Sequence, residues 1–267
     1  NINTLSVFPL LAAKKTREPV RIAHSHSTMG KGEFAKNAIK LVLRPFANVY
    51  PTVRFACSHY AGEWLFGKNA DFTVIPNAFE LDKFCFDAGV RQKTRQELGI
   101  ADDTFLIGHV GRFMPQKNQT FLVDVLADLL PKRPDTMLVF VGDGPDKSAV
   151  QQHAIELGIA DHVLFLGQRS DVNRLYQAFD VFCLPSLYEG LGIVAVEAQV
   201  AGLPCLLGNT VPPEADVTAK SCFLRITDVK IWSEVLSNLI VSDRSGQVNG
   251  DIEEYDIQRC ATRLVRE

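Results

Sequence analysis

Residues 104–118 read Thr104-Phe-Leu-Ile-Gly-His-Val110-Gly111-Arg112-Phe-Met-Pro-Gln-Lys117-Asn118. An apolar run stops at a glycine, polar residues turn the chain, and a helical pattern follows over 117–130. That is the strand–turn–helix of an open α/β sheet. Met137-Leu-Val-Phe-Val141 followed by Gly142-Asp-Gly-Pro145 repeats it. Neither run alternates apolar with polar, as expected when helices cover both faces of a parallel sheet.

Working outward, strand-like runs also fall at 20–23, 53–57, 72–75, 162–166, 180–184, 204–207 and 222–226. Helical patterns lie at 33–44, 60–66, 146–157, 171–179, 191–201, 228–241 and 252–266. This alternation predicts an α/β protein built from βαβ units, with two Rossmann-like domains. Residues 1–78 form the first domain and 79–103 a linker with a short helix from Arg91 to Leu98. Residues 104–250 form the second domain, and 251–267 a final helix. Residues 4–15 read as the middle or end of a helix, and the first methionine is Met29. The first domain is therefore read as incomplete, its opening strands missing.

With 46% hydrophobic and 22% charged residues among 267, the composition excludes disorder, collagen and coiled coil. No apolar run reaches 18 residues, which excludes a transmembrane helix, and no secretory leader is visible. Six cysteines without CxxC pairing fit a reduced, cytoplasmic chain better than a disulfide scaffold or a zinc site. The net charge of −3 hides an asymmetry. Residues 1–54 hold nine Lys/Arg against two Asp/Glu, whereas the remainder is acidic. Such a split suits an anionic partner for the N-terminal part, or simply a solvated basic surface.

Five motifs carry candidate chemistry. Gly111 lets a ligand approach the backbone beyond a strand end, where open α/β sheets bind ligands. Arg112 and Lys117 place one forked and one point-like cation there, which suits a diphosphate, and Asn118 is a candidate helix cap. The alternative is a loop with two solvated cations. In Leu187-Tyr-Glu189-Gly190-Leu191-Gly192-Ile-Val-Ala-Val-Glu197, the glycines open a helix N-terminus, which attracts anions. Glu189 precedes that helix and Glu197 lies inside it. The eight residues between them span about 12 Å at ~1.5 Å per residue, comparable to the distance from sugar to ribose in an extended nucleotide sugar. A carboxylate is a suitable acceptor for both ribose hydroxyls. Glu197 is flanked by apolar residues, so its carboxylate needs a partner.

The third motif, Val141-Gly-Asp-Gly-Pro145, is a βα turn with Asp143 or Asp146 near the next helix cap. The fourth, Ile22-Ala-His24-Ser-His26-Ser27, places histidines where a strand leaves its sheet. There they serve as base or neutral hydrogen-bond partner, or are plain loop residues. No convincing metal-ligand spacing accompanies them. The fifth, residues 31–44, reads as a helix with Phe34, Ala38, Leu41 and Val42 on one face and Lys36, Lys40 and Arg44 elsewhere. Either an anionic membrane or an ordinary solvated surface accommodates it.

Together these residues resemble the family-4 (group 1) retaining glycosyltransferases of the GT-B fold, in which two Rossmann-like domains face a cleft. The resemblance rests on Gly111-Arg112…Lys117-Asn118, Val141-Gly-Asp-Gly-Pro145, Phe165-Leu-Gly167, Glu189…Glu197 after Pro185-Ser186, and Val74-Ile-Pro-Asn77. It covers nearly all of 18–267. The stretch Leu5 to Ser27 is similar to the bacterial exopolysaccharide and capsule branch. The resemblance implies that Arg112 and Lys117 hold the donor diphosphate. Gly190, Leu191 and Gly192 would meet a phosphate or the sugar through their backbone. Glu189 would contact the donor sugar and Glu197 the ribose. Residues 167–169, with Gln168 and Arg169, would approach the base. His26 matches the N-domain histidine near the reacting centre better than His24 does. It further implies a nucleotide sugar, commonly UDP-linked, as substrate rather than cofactor. No metal would be required, and the last helix would return to the first domain.

Acceptors in this family are glycans or lipid-linked glycans, and no nucleic-acid partner is expected. A cytoplasmic protein at the inner face of the membrane, touching anionic lipid, fits the basic N-terminal part. Two departures stand out. The family's opening strand and Gly-rich loop are absent, and Ala78 replaces the glycine often found after Ile-Pro-Asn. A non-catalytic donor-binding fragment and a nucleotide-sugar epimerase of the same fold remain alternatives. A nicotinamide dehydrogenase fits poorly, because no GxGxxG follows a first strand.

Overall fold

The computed structural model describes residues 3–26, 34–241, 244 and 252–266. Two compact units emerge. One comprises Asn1–Phe79, Tyr188–Gly192 and Glu253–Glu267, and the other Glu80–Leu187 and Ile193–Ile252.

In the first unit a 3-10 turn leads into α1 (Val7–Lys15). Then come β1 (Ile22–Ser25), α2 (Phe34–Leu43), β2 (Val53–Ala56), α3 (His59–Phe66) and β3 (Thr73–Val74). The strands form a parallel sheet in the order β1-β2-β3, with Ile22 opposite Val53 and Phe55 opposite Thr73. β1 lies two residues later than its apolar residues predict. Arg21 is held outside the strand: its N–H donates to Thr52 Oγ1 at 2.8 Å and its Nε to the Tyr50 carbonyl at 2.7 Å. The ladder therefore starts at Ile22, so His24 lies within the strand and His26 just beyond it. Ser58 caps α3 by accepting the Ala61 N–H at 3.1 Å. Leu10, Ala23, Ala47, Leu65 and Phe66 fill the small core. Residues 31–33 of the basic motif lie outside the described residues.

The second unit opens with α4 (Ala88–Glu97), in the stretch read as a linker. Asp87 caps it, accepting the Val90 N–H at 2.9 Å. The helix buries Arg95, whose guanidinium donates to the carbonyls of Ala101, Thr104 and Ala178 and pairs with buried Asp180 at 3.3 Å. A buried cation is tolerated only with such acceptors, which here take both terminal guanidinium nitrogens and leave Nε without a partner. This segment is thus packed structure, and it starts three residues earlier than its sequence pattern predicts.

There follow β4 (Phe105–Val110), α5 (Gln119–Leu129), β5 (Thr136–Val141), α6 (Lys147–Glu156), β6 (Val163–Phe165), α7 (Val172–Ala178) and β7 (Val181–Leu184). The unit continues with α8 (Ile193–Val200), β8 (Cys205–Gly208), β9 (Cys222–Leu224) and α9 (Val229–Asn238). Six parallel strands stand in the order β6-β5-β4-β7-β8-β9. This is a doubly wound Rossmann sheet, and its order reverses between β4 and β7.

Two cores account for the unbroken apolar strands. Phe105, Ile107, Leu138, Phe140 and Val181 pack with residues of α5, α6 and α9. Leu106, Val139, Phe182, Leu184 and Leu207 pack with residues of α7 and α8. Each such side chain contributes roughly 1.5–3 kcal/mol on burial. The final helix, α10 (Ile257–Arg266), groups with the first unit. Ahead of it, the Phe79 N–H donates to the Tyr255 carbonyl at 3.0 Å. Among the described residues no helix is long and apolar enough to cross a membrane.

Candidate functional site

The loop after β4 is built on the loop after β5. The Phe113 N–H donates to the Asp143 carbonyl at 3.0 Å, and the Gly111 N–H to Val141 at 2.9 Å. Gly142 (φ +139°) lies so close that an added Cβ would stand 2.1 Å from the Gly111 oxygen. At Gly144 the same atom would stand 2.2 Å from the Phe113 oxygen. The Gly142 N–H in turn donates to the Gly167 carbonyl at 2.8 Å. Gly-Asp-Gly-Pro is therefore the packing surface that seats the Gly111–Lys117 loop. The sequence carried that signal, but the partner loop was not visible in it.

These turns open a cleft of about 510 Å³ at the carboxyl ends of β4, β5 and β6, lined by Gly111, Arg112, Asp143, Gln168, Arg169 and Val172 among others. Arg112 is exposed on its wall. The Lys117 side chain passes beside Gly111, where an added Cβ would meet its Cδ at 3.3 Å. Sequence reasoning missed His109 behind it. His109 is wholly buried, and burial lowers its pKa to about 4, so the ring is neutral. Its Nδ1 lies 2.9 Å from the Cys183 carbonyl, which assigns the ring proton to that nitrogen.

One assignment changes. Asn118 does not cap α5 with its side chain; it takes a left-handed conformation (φ 56°), and its amide donates to the Pro185 carbonyl at 3.3 Å. That geometry joins the loop after β4 to the end of β7. Asp146 does stand at the cap position of α6, as expected, though without a side-chain bond, and Asp143 pairs with Lys147 at 3.7 Å. Arg169 is engaged by Asp171 in a two-pronged pair at 2.7 Å each, which lowers the Asp171 pKa and raises that of the arginine.

The partner that Glu197 requires on its apolar helix is Tyr176 of α7. The phenol oxygen lies 2.9 Å from Glu197 Oε2 and 3.1 Å from the Val194 carbonyl. Desolvation pushes the Glu197 pKa up to about 7, while the Tyr176 bond holds it down. Nothing in the local sequence links residues 21 apart on different helices.

Gly111, Arg112, Lys117, Gln168, Arg169 and Glu197 thus share the second unit. Glu189, Gly190, Leu191, Gly192 and His26 group with the first. There Glu189 is 7% exposed, and Gly190 offers its carbonyl to the Ser58 hydroxyl at 2.7 Å. Gly192 takes φ +88°, a conformation that favours glycine, immediately before α8. His26 is half-buried and hydrogen-bonded to Asn77; burial lowers its pKa, so it is largely neutral at pH 7. Its ring lies 4.0 Å from that of His24, which burial holds at about 4.

Comparison with known proteins agrees with this architecture. Residues 90–221 match the family described as glycosyl transferases group 1. The chain is 34% identical over 246 residues to EpsF of Bacillus subtilis (strain 168), named as a glycosyltransferase, covering 89% of this chain and 64% of that protein. It is 34% identical over 140 residues to the Escherichia coli UDP-Gal:alpha-D-GlcNAc-diphosphoundecaprenol alpha-1,3-galactosyltransferase, covering 51% of this chain and 36% of that protein. The chain thus spans less than two thirds of either relative. Among solved structures, Anabaena Alr3699/HepE in complex with UDP-glucose superposes with a TM-score of 0.80 at 24% identity, covering 98% of this chain and 76% of that one. At that identity the likeness establishes the fold, which is the GT-B type. It is through residues 90–221 that the chain resembles the glycosyl transferases group 1 family.

Proposed function

We propose that this protein is a glycosyltransferase that moves a sugar from a UDP-linked donor to a glycan or lipid-linked glycan acceptor in polysaccharide biosynthesis, with retention at the anomeric carbon. The observation that carries the reading is the cleft beside the switch point of the Rossmann sheet, where Gly111 and Arg112 meet Gln168 and Arg169. The name of one relative supports the donor and acceptor classes: it uses UDP-Gal and a diphosphoundecaprenol-linked sugar.

Glycosyl transfer develops positive character on the sugar and negative charge on the departing diphosphate. Arg112 and Lys117 are fixed donors for that charge, so the reaction proceeds without a metal ion or other cofactor. The α8 N-terminus behind Gly190–Gly192 adds its dipole. Glu197 accepts the ribose hydroxyls, Gln168 and Arg169 border the base, and Glu189 orients the donor sugar. His26, neutral near pH 7, hydrogen-bonds a sugar hydroxyl near the reacting carbon. Retention follows from same-face attack or from a covalent intermediate. The protein works in the cytoplasm against the inner face of the membrane. Ile39, Leu41 and Val42 are 53%, 50% and 69% exposed there, next to Lys40 and Arg44. Liposome cosedimentation that ignores anionic lipid would overturn this last point.

A thermal-shift panel with UDP, GDP, ADP and NAD, run on the wild type and on Glu197→Ala, tests the donor site. UDP at 100 times its dissociation constant should add about 2.7 kcal/mol, a shift of several degrees, and the variant should lose it. Stabilisation by NAD alone would refute the reading. UDP-sugar turnover then separates transfer to an acceptor from epimerisation, or from binding without turnover.

A further inference from the structure

We infer that Tyr176 is a positioning residue for nucleotide recognition: its hydroxyl, fixed from below by packing, holds the Glu197 carboxylate in the orientation that meets the ribose hydroxyls. The inference rests on the donor-site reading above and deepens it.

The geometry is specific. Tyr176 sits near the end of α7 and is fully buried. Its ring is packed by Phe84, Phe179 and Phe182, with centroids 5.9, 6.1 and 5.7 Å away. A phenol locked in this way has no rotamer freedom left to lose, so its oxygen is a fixed point. That point lies 2.9 Å from Glu197 Oε2 and 3.1 Å from the Val194 carbonyl.

The two acceptors let the hydroxyl serve either state of the carboxyl group. When Glu197 is ionised, the phenol O–H donates to Oε2. When Glu197 is protonated, its own O–H donates to the phenol oxygen, and the phenol proton turns to Val194. In both states Oε2 stays pinned. An ionised carboxylate has about four lone-pair sites, so one bond to Tyr176 leaves enough for two ribose hydroxyls. Burial also works against the charge that this role needs, since it pushes Glu197 up to about 7, and the phenol bond is the interaction opposing it. Any buried phenol needs a partner for its hydroxyl; this one places its only side-chain polar atom on the Glu197 carboxylate and the Val194 carbonyl of the same helix.

The test uses UDP and 2′-deoxy-UDP as probes, titrated calorimetrically into the wild-type chain, Tyr176→Phe and Glu197→Gln. Phe keeps the ring packing, and melting curves confirm that both variants fold. The wild type should prefer UDP over the deoxy form by roughly tenfold or more, the range of one hydrogen bond to a charged group. Tyr176→Phe should weaken UDP several-fold and 2′-deoxy-UDP, which keeps only the 3′-hydroxyl, distinctly less, so the preference shrinks. A purely structural tyrosine would weaken both probes equally, and that result overturns the inference. If Glu197→Gln erases the preference while Tyr176→Phe retains it, the donor-site reading stands and only the inference falls. If UDP fails to bind the wild type, both fall together.

Discussion

Arg169 and Glu197 are both ionisable residues of the second unit that the sequence marks for ligand contact, and the fold treats them in opposite ways. Arg169 stands at the rim of the cleft, partly exposed, its fork filled by Asp171 and its charge secured. Glu197 lies against the sheet with a phenol for a partner and a pKa near 7, so its charge is conditional. A rim charge keeps its hydration and needs little support, whereas a buried one depends on each bond it makes. The same contrast separates Arg112, exposed on the cleft wall, from neutral, enclosed His109.

The sharpest way to break the contrast is at Arg112. Under the proposed mechanism Arg112→Ala removes a donor to the charge developing on the diphosphate and should lower kcat roughly 100- to 1,000-fold. Arg169→Ala, whose fork is already occupied, should cost far less. Equal losses in turnover assays would show that rim position, not commitment to Asp171, decides which cation acts.

Gly142→Ala tests the seating of the rim itself. Its added methyl meets the Gly111 oxygen at 2.1 Å at a φ of +139°. A loss of about 2–4 kcal/mol in urea unfolding is expected, with donor affinity falling as the loop shifts.

The half-buried Glu197 carboxyl gives the next effect. The folded protein binds the Glu197 proton up to about pH 7, whereas the unfolded chain releases it near 4.5. The native state therefore holds more protons across that window, and this group's contribution to stability falls as pH rises through it. Glu197→Gln should remove that loss and raise stability at pH 8 by about 1–3 kcal/mol relative to wild type. His109 works in the other direction. Its pKa falls from 6.5 to about 4, so its contribution is present above 6.5 and is lost as pH drops toward 4. Chemical denaturation of wild type and Glu197→Gln from pH 4 to 8 separates the two. A pH dependence unchanged by Glu197→Gln would place the carboxylate in solvent.

Smallest is the rim pair. Asp171→Asn removes a partly exposed ion pair and should change stability by less than about 1 kcal/mol. A larger loss in thermal melts would mean that Asp171 organises the turn before α7.

Much of this was legible before the structure. Apolar runs ending in glycine marked the strands of the Rossmann sheet to within a residue or two, because a strand covered on both faces must be apolar throughout. Gly111 and Arg112 were placed by the rule that strand ends make the site, and Gln168 and Arg169 by the family resemblance; all four line one cleft. Residues 79–103 were less legible. Their polar composition reads as a linker, yet α4 buries Arg95 against carbonyls at 101, 104 and 178. A buried arginine looks like a surface one until its acceptors are known.

The sequence by itself determined the α/β class, the alternation of strands and helices, the family resemblance, and the residue types offered for a diphosphate and a ribose. Those follow from local periodicity and from glycines at strand ends, which act over a few residues. Only the tertiary structure decided that Tyr176 answers Glu197, that Gly142 and Gly144 seat the loop after β4, that Asn118 reaches Pro185 rather than its helix, and that Asp171 occupies Arg169. Each of these is a hydrogen bond or close contact between segments brought together by folding or by a turn. Its energy depends on angstrom-scale distances that no residue carries alone.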